Sequence, residues 1–330
     1  MLGIALAYEA CGRLVDHVTL RVHGWDYPVL HCISTALGAG KVMGLSREQM
    51  ANALGLAIVA NICLRETRQG DISNWKGFAG PNGSRNGLFA ALLAKQGITG
   101  PPKPFEGRAG FMKQLDSRFE LGAFGGGHTA FKVEGTFFKY LPVRYDMQLP
   151  VWVALEVRDR VKLADIESIC VYLEKYSVLE RAHHPEPWNP MSRETADHSG
   201  PYLIGAALVD GGITARTFTP ERYRDPAILG LIQKIRLQED TRYTASLPRT
   251  FNCRFEVTLE SGAVITVHQK NPKGHPANPM SDQELEAKFL KQVDSVLAKK
   301  QSRALLDALW KLEELDDFNK LFPLMQVPAA

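Results

Sequence analysis

The sequence predicts a mainly helical protein that carries a separate α+β domain between Phe137 and about Lys270. Three observations make the case. Helix-period runs with recognisable starts and stops occupy much of the chain up to Gly97. Two-residue alternation appears at Ile166 to Tyr172 (IESICVY) and on both sides of Ser261-Gly262 within Cys253 to Gln269. A Pro- and Gly-rich stretch, Asn271 to Met280, then precedes two amphipathic helix patterns that open at Ser281 and run to Phe318.

The elements follow in order. Leu2 to Asp16 puts Ile4, Leu6, Ala7, Ala10, Cys11 and Leu14 largely on one side of a helix and Glu9, Arg13 and Asp16 on the other. His23 to Pro28 reads as a turn, and Val29 to Val42 as an Ala/Gly-rich helix whose small residues allow close approach of a neighbour. Ser46 and Gln49 have the spacing of a capping box, with Leu45 before them, for a helix continuing towards Ile62. Gly87 to Gln96 (GLFAALLAKQ) is helical and stops at Gly97, with Pro101 and Pro102 beyond. The glycines of Gly122 to Gly127 mark a connection. After it, Gln148 to Arg160 reads as a helix, Ile166 to Tyr172 as a strand, Arg193 to Val209 as one helix up to Gly211-Gly212, and Cys253 to Gln269 as a β-hairpin. These helices and strands make the segment from Phe137 to Lys270 an α+β unit.

Composition narrows the function. The 330 residues are 45% hydrophobic and 23% charged, as in an ordinary globular protein, with a net charge of +3 that is spread along the chain. Dispersed charge leaves no electrostatic footprint for nucleic acid, and no apolar run is long enough for a bilayer. Cys11, Cys32, Cys63, Cys170 and Cys253 are odd in number and far apart, without a CxxC pair, so they read as reduced side chains of a cytoplasmic protein. Nothing in their spacing suggests a metal, and no GxGxxG or GxxxxGK[ST] is present.

Chemistry enters at Trp75-Lys76-Gly77-Phe78. A lysine between aromatic rings loses hydration unless an anion replaces the water, which points to a small carboxylate or phosphate; the alternative is a snorkelling lysine whose stem lies on the helix. The stretch from Thr67 to Phe111, TRQGDISNWKGFAGPNGSRNGLFAALLAKQGITGPPKPFEGRAGF, strongly resembles the MmgE/PrpD family, which includes 2-methylcitrate dehydratases, cis-aconitate decarboxylases and iminodisuccinate epimerases. The segments FKYLP at Lys139, DHSGPY from Asp197 to Tyr202, and KGHP around His275 resemble it too.

The resemblance implies a helical domain, Met1 to about Thr136, with residues 137–270 inserted as an α+β lid and residues 271–330 returning to the helical domain. It implies that Lys76 and Lys139 face one pocket from opposite sides and bind carboxylates, with Arg68 as a further carboxylate fork and Tyr202 as a proton donor or oxyanion hydrogen bond. Adjacent Asp197, His198 and Ser199 are not read as a relay, because neighbours on a helix point to different faces. Arg85 is expected to face solvent or a helix end, His183 and His184 to be solvated, and His275 to be structural.

Two departures stand out. Family histidines in the first turn and after the junction lysine are replaced by Trp25-Asp26-Tyr27 and Arg144-Tyr145-Asp146-Met147, leaving Asp26, Tyr27, His31 and Asp146 as substitutes. The chain also opens inside a helix pattern, and the resemblance implies a preceding portion with a His-Pro-Ser segment near the reacting carbon. The expected function is a 2-methylcitrate dehydratase-like lyase on a small di- or tricarboxylate, without metal or organic cofactor, acting as a homodimer away from membranes. The alternatives are an epimerase or decarboxylase of the same family, and a truncated, non-catalytic or split-enzyme fragment.

Overall fold

The computed structural model describes residues 1–327 apart from 128 and 183. Four helices build the first lobe: α1 (Leu2–His17), α2 (Pro28–Val42), α3 (Arg47–Val59) and α4 (Trp75–Lys95). Glycine decides how closely α2 and α4 pack, since a Cβ on Gly87 would lie 2.3 Å from the carbonyl oxygen of Cys32. Leu14, Leu30, Ile33 and, from beyond α4, Phe111 and Leu115 fill the core beside this crossing. Ser46 forms the expected capping box, accepting from Gln49 N at 3.2 Å while the Gln49 side chain receives Ser46 N at 3.0 Å.

Helix α4 starts twelve positions before the run that the sequence marks at Gly87, and it includes Pro81. Gly77, Gly80, Pro81 and Gly83 lower its intrinsic propensity, but packing on α2 outweighs that. Lys76 therefore stands in the first turn of a long helix rather than in a loop ahead of it.

After the one-turn α5 (Phe111–Gln114), the chain crosses to the second lobe along residues 115–144. This connection is anchored at both ends. Glu9 of α1, wholly buried, accepts from Gly125 N at 2.7 Å, Lys132 N at 2.6 Å and Arg13 Nε at 2.6 Å. Burial works against its charge, yet these donors together hold its carboxyl below the usual range. Further on, Phe138 N donates to Gly274 O at 2.9 Å, and Gly274 has φ +91° with its missing Cβ 2.4 Å from Phe138 O. No other residue fits that contact.

The second lobe contains α6 (Gln148–Arg158), β1 (Ile166–Leu173), α7 (Lys175–Ala182), α8 (Arg193–His198), α9 (Gly200–Asp210), α10 (Pro220–Tyr223), α11 (Pro226–Ile232), β2 (Ile235–Glu239), α12 (Thr241–Ser246), β3 (Asn252–Leu259) and β4 (Val264–Lys270). Its sheet has the order β2-β1-β3-β4, with β1 parallel to β2 and antiparallel to β3, and β3 paired with β4 as the expected hairpin. Ile169, Val171, Phe255 and Val257 meet Val153, Val157 and Leu203 in a continuous core. The single helix expected over Arg193 to Val209 is broken: Ser199 is extended (φ −80°, ψ 111°) and caps α9 by accepting from Tyr202 N at 3.0 Å. Pro201 in the first turn of α9 explains the break, since proline has no N–H to continue α8.

In the tail, α13 (Asp282–Val293), α14 (Lys299–Trp310) and α15 (Phe322–Met325) follow a capping box of Ser281 and Glu284. Leu305 of α14 closes on Leu297 and Leu321 from the connections between these helices and on Phe289 and Val293 of α13.

Candidate functional site

The two lobes meet where α8 docks on the start of α4. Ile72 N donates to Thr195 Oγ1 at 3.1 Å, and Ser192 Oγ, the cap of α8, lies 3.1 Å from Ile72 O. With both backbone groups of Ile72 held, the C-terminal end of α8 comes to rest beside the first turn of α4. Lys76 Nζ then lies 3.6 Å from Asp197 Oδ2.

Lys76 and Lys139 come from opposite sides of the junction and have Asp197 and Arg68 as common charged neighbours around the crevice beside α8. The ammonium of Lys76 is pushed below its ordinary pKa by burial, and by the nearby charges of Arg68 and Lys139, against the opposing pull of Asp197. Lys139 is exposed along much of its surface, but the protein packed around its charge also pushes its pKa down; Arg144 and Arg68 add to this, while Asp197 and Asp146 oppose it. Asp197 thus supports the charge of both lysines. Trp75 and Phe78, expected to dry Lys76, are instead 50% and 63% exposed, so the drying comes from the junction.

Arg68 reaches the crevice through the pairing of two chain segments. Trp25 bridges to Leu64, Asp26 N donates to Cys63 O at 2.7 Å, and Arg65 N to Gly24 O at 2.9 Å. Arg68 Nε thereby sits 2.8 Å from Oδ1 of buried Asp26, which also accepts from Tyr27 N at 2.9 Å. His31 of α2 packs against Gly80 of α4, its pKa lowered by burial, within the fields of Asp26 and Arg68. Asp146 pairs with Arg144 at 3.2 Å. The substitutes considered for the missing histidines thus border the cations, and the two aspartates are engaged with arginines.

Asp197, His198 and Ser199 form no hydrogen-bonded relay; at the end of the six-residue α8 the Asp197 Oδ1 touches His198 Nδ1 without a hydrogen bond. Nδ1 also lies 3.0 Å from the Glu194 carbonyl oxygen. A carbonyl can only accept, so in the neutral ring Nδ1 carries the proton and Nε2 keeps the lone pair. Burial lowers the pKa of His198, and Lys76 and Arg144 lower it further against Asp197. For Asp197, burial raises the pKa, but His198 and Lys76 outweigh it and hold the carboxyl below its usual range. Ser199 takes no part, as its hydroxyl donates to Pro187 O. The available signal was Pro201, whose position ends α8 at this pair.

Tyr202 is a second correction. It is fully buried in the core of the second lobe, and its hydroxyl donates to the Thr217 carbonyl. Burial also pushes its pKa up, so it neither meets the lysines nor holds a proton ready for transfer. Arg85 is exposed and bonds Asn86 at 3.1 Å, and His184 is exposed, while His183 lies outside the described residues. His275 is structural: Nδ1 accepts from Ala277 N at 3.0 Å and the ring packs 4.7 Å from that of Phe137. Among the described residues no group of three or more His, Cys, Asp or Glu could hold a metal ion, and no helix is long and apolar enough to cross a membrane.

The arrangement suits a multiply charged organic acid: two lysines and an arginine gather carboxylates beside a neutral imidazole. Comparison with known proteins finds two domain matches and several relatives. Residues 1–122 match the MmgE/PrpD N-terminal domain and residues 142–314 the MmgE/PrpD C-terminal domain. Among curated proteins, the cis-aconitate decarboxylase of Mus musculus is 24% identical over all of this chain, which covers 68% of that protein. That of Homo sapiens is 25% identical, again over the whole chain, and 69% covered. The mitochondrial 2-methylcitrate dehydratase of Yarrowia lipolytica is 28% identical over 83% of the chain, which covers 54% of that protein.

Proposed function

The chain belongs to the MmgE/PrpD family, and from that premise we propose that it is a lyase acting on a small di- or tricarboxylate by proton transfer at a carbon next to a carboxylate. The lead reaction is elimination of water, as the name 2-methylcitrate dehydratase implies for the Yarrowia relative. One observation supports the reading above the others: Lys76 and Lys139 come from different lobes and have one charged neighbour in common, Asp197, which lies 3.6 Å from Lys76 Nζ.

The roles follow from charge. Lys76 and Lys139 hold two carboxylates of the substrate, and Arg68, tied to Asp26, adds positive potential at the rim. His198 Nε2 accepts the proton from the carbon, the electron pair passes into the adjoining carboxylate, and the lysines stabilise the charge that builds there. The hydroxyl on the neighbouring carbon then leaves, taking from His198 the proton that the imidazole accepted, so that water forms, the imidazole is neutral again and a double bond is left. His198 replaces Tyr202 in this scheme because its lone pair is available and the tyrosine hydroxyl is not.

Decarboxylation is the second reading, favoured by the match of the whole of this chain to 68% and 69% of the two cis-aconitate decarboxylases. Epimerisation needs only the same proton transfer. The test is purified protein with 2-methylcitrate, citrate, cis-aconitate and iminodisuccinate, followed by NMR. Turnover of one of them, reduced at least a hundredfold in kcat/KM by Lys76→Ala or Lys139→Ala, is expected; no turnover of any by folded protein refutes the proposal. Trp75, Phe78 and Phe89, 50%, 63% and 60% exposed along α4, support a pairing of two copies, which light scattering on the eluting protein checks.

A further inference from the structure

Asp197 is the charged group of the crevice that the proposed reaction leaves without a task. It stands closest to the cations: Oδ2 is 3.6 Å from Lys76 Nζ, and it is the foremost charge acting on Lys139. Yet it is loosely held. A charge-assisted N–H···O bond spans about 2.7–2.9 Å, and the lysine contact is longer. Its Oδ1, pressed against His198 Nδ1, is buried without a hydrogen-bond partner among the described residues.

The structural carboxylates of this protein look different. Glu9 is gripped by two backbone amides and Arg13, and Asp26 Oδ1 by Arg68 and Tyr27 N. Asp197 receives no backbone amide among the described residues, so its attachment is electrostatic and exchangeable.

We propose that Asp197 is a built-in stand-in for substrate: its carboxylate sits at Lys76, within the field of Lys139, and an incoming carboxylate displaces it. This rests on reading the crevice as a carboxylate site. The consequence is competition. A monocarboxylate exchanges one carboxylate for another at Lys76 and gains little, because its own desolvation is not offset by a new contact. A ligand with two or three carboxylates replaces Asp197 at Lys76 and also engages Lys139, and that second contact is its net gain. Asp197 therefore sets a threshold that a ligand with a second carboxylate clears and a monocarboxylate does not.

Calorimetric titration of acetate, succinate and citrate into the wild-type protein and Asp197→Asn tests the idea, with circular dichroism confirming the fold. Acetate and citrate should each bind at least tenfold more tightly to Asp197→Asn than to wild type, because each displaces the same carboxylate, and citrate should stay the tighter ligand of both proteins. The gain should vanish in Asp197→Asn combined with Lys76→Met. Affinities within twofold of wild type, or weaker, overturn the inference while leaving the crevice a carboxylate site. If neither protein binds any of the three, the crevice reading falls and the inference with it. Asp197→Ser serves if Asp197→Asn does not fold, and a wild-type protein that binds acetate as tightly as citrate overturns the inference without any variant.

Discussion

A tyrosine hydroxyl that donates to a backbone carbonyl inside a core has its proton already committed. Tyr202 is in that position through Thr217, and its ring is among the largest wholly buried side chains. Tyr202→Phe should therefore cost about 1 kcal/mol of stability, the net worth of one neutral hydrogen bond, and leave kcat unaltered. Urea unfolding and steady-state rates check both halves, and a fall in kcat beyond tenfold would return Tyr202 to the reaction. The contrast with the lysines shows what a sequence carries at this scale. Lys76 and Lys139 are legible because each lies in a recognisable stretch. Tyr202 lies in one as well, but a motif gives position along the chain and not the burial of the side chain.

At the scale of elements, the decisive feature is the break between α8 and α9. The sequence places one helix over Arg193 to Val209, since apolar periodicity runs through both pieces. Ser199 and Pro201 interrupt it and aim Asp197 and His198 at the crevice. Helices opened by a capping box, at Ser46 and Ser281, and the hairpin about Gly262 are legible because their signals are local. Strand β2 is not, being a five-residue edge strand (IRLQE) fixed by parallel pairing with β1. What holds α8 in place can be tested. Thr195→Val keeps the shape but leaves the buried amide of Ile72 without its acceptor, at a cost of about 1–3 kcal/mol. Because α8 carries Asp197 beside Lys76, the KM for the polycarboxylate should rise while thermal unfolding shows only the modest loss. An unchanged KM would mean that the two lobes are positioned by other contacts.

Across the whole molecule, the proposed site draws its residues from two lobes, so their connection matters as much as either core. The segment that carries Lys139 is pinned to α1 by Glu9. Its carboxyl is held below the usual range, so its contribution is present above the unfolded pKa of about 4.5 and is lost as the pH falls through the folded value. Glu9→Gln should lower stability at pH 7 by about 3 kcal/mol, as when a buried charge loses its partner. It should also flatten the acid limb of the stability–pH curve, measured by denaturant titration from pH 3 to 7. An acid limb as steep as wild type would show that other carboxylates govern it.

The pH profile of kcat/KM joins the scales, because it reports the groups of the free protein. The proton acceptor must be neutral, and burial with Lys76 and Arg144 lowers the pKa of His198, so the acid limb should lie below the ordinary imidazole value of about 6.5. The lysines must be charged to hold carboxylates, and burial lowers both, so the alkaline limb should fall below the ordinary lysine value of about 10.4. Asp197→Asn removes the negative charge that supports both lysines and His198. All three should then titrate lower, and the whole profile should move towards acid as a unit. A shift of the alkaline limb alone would separate His198 from the pair, and no shift in either limb would place Asp197 outside the field of the reacting groups.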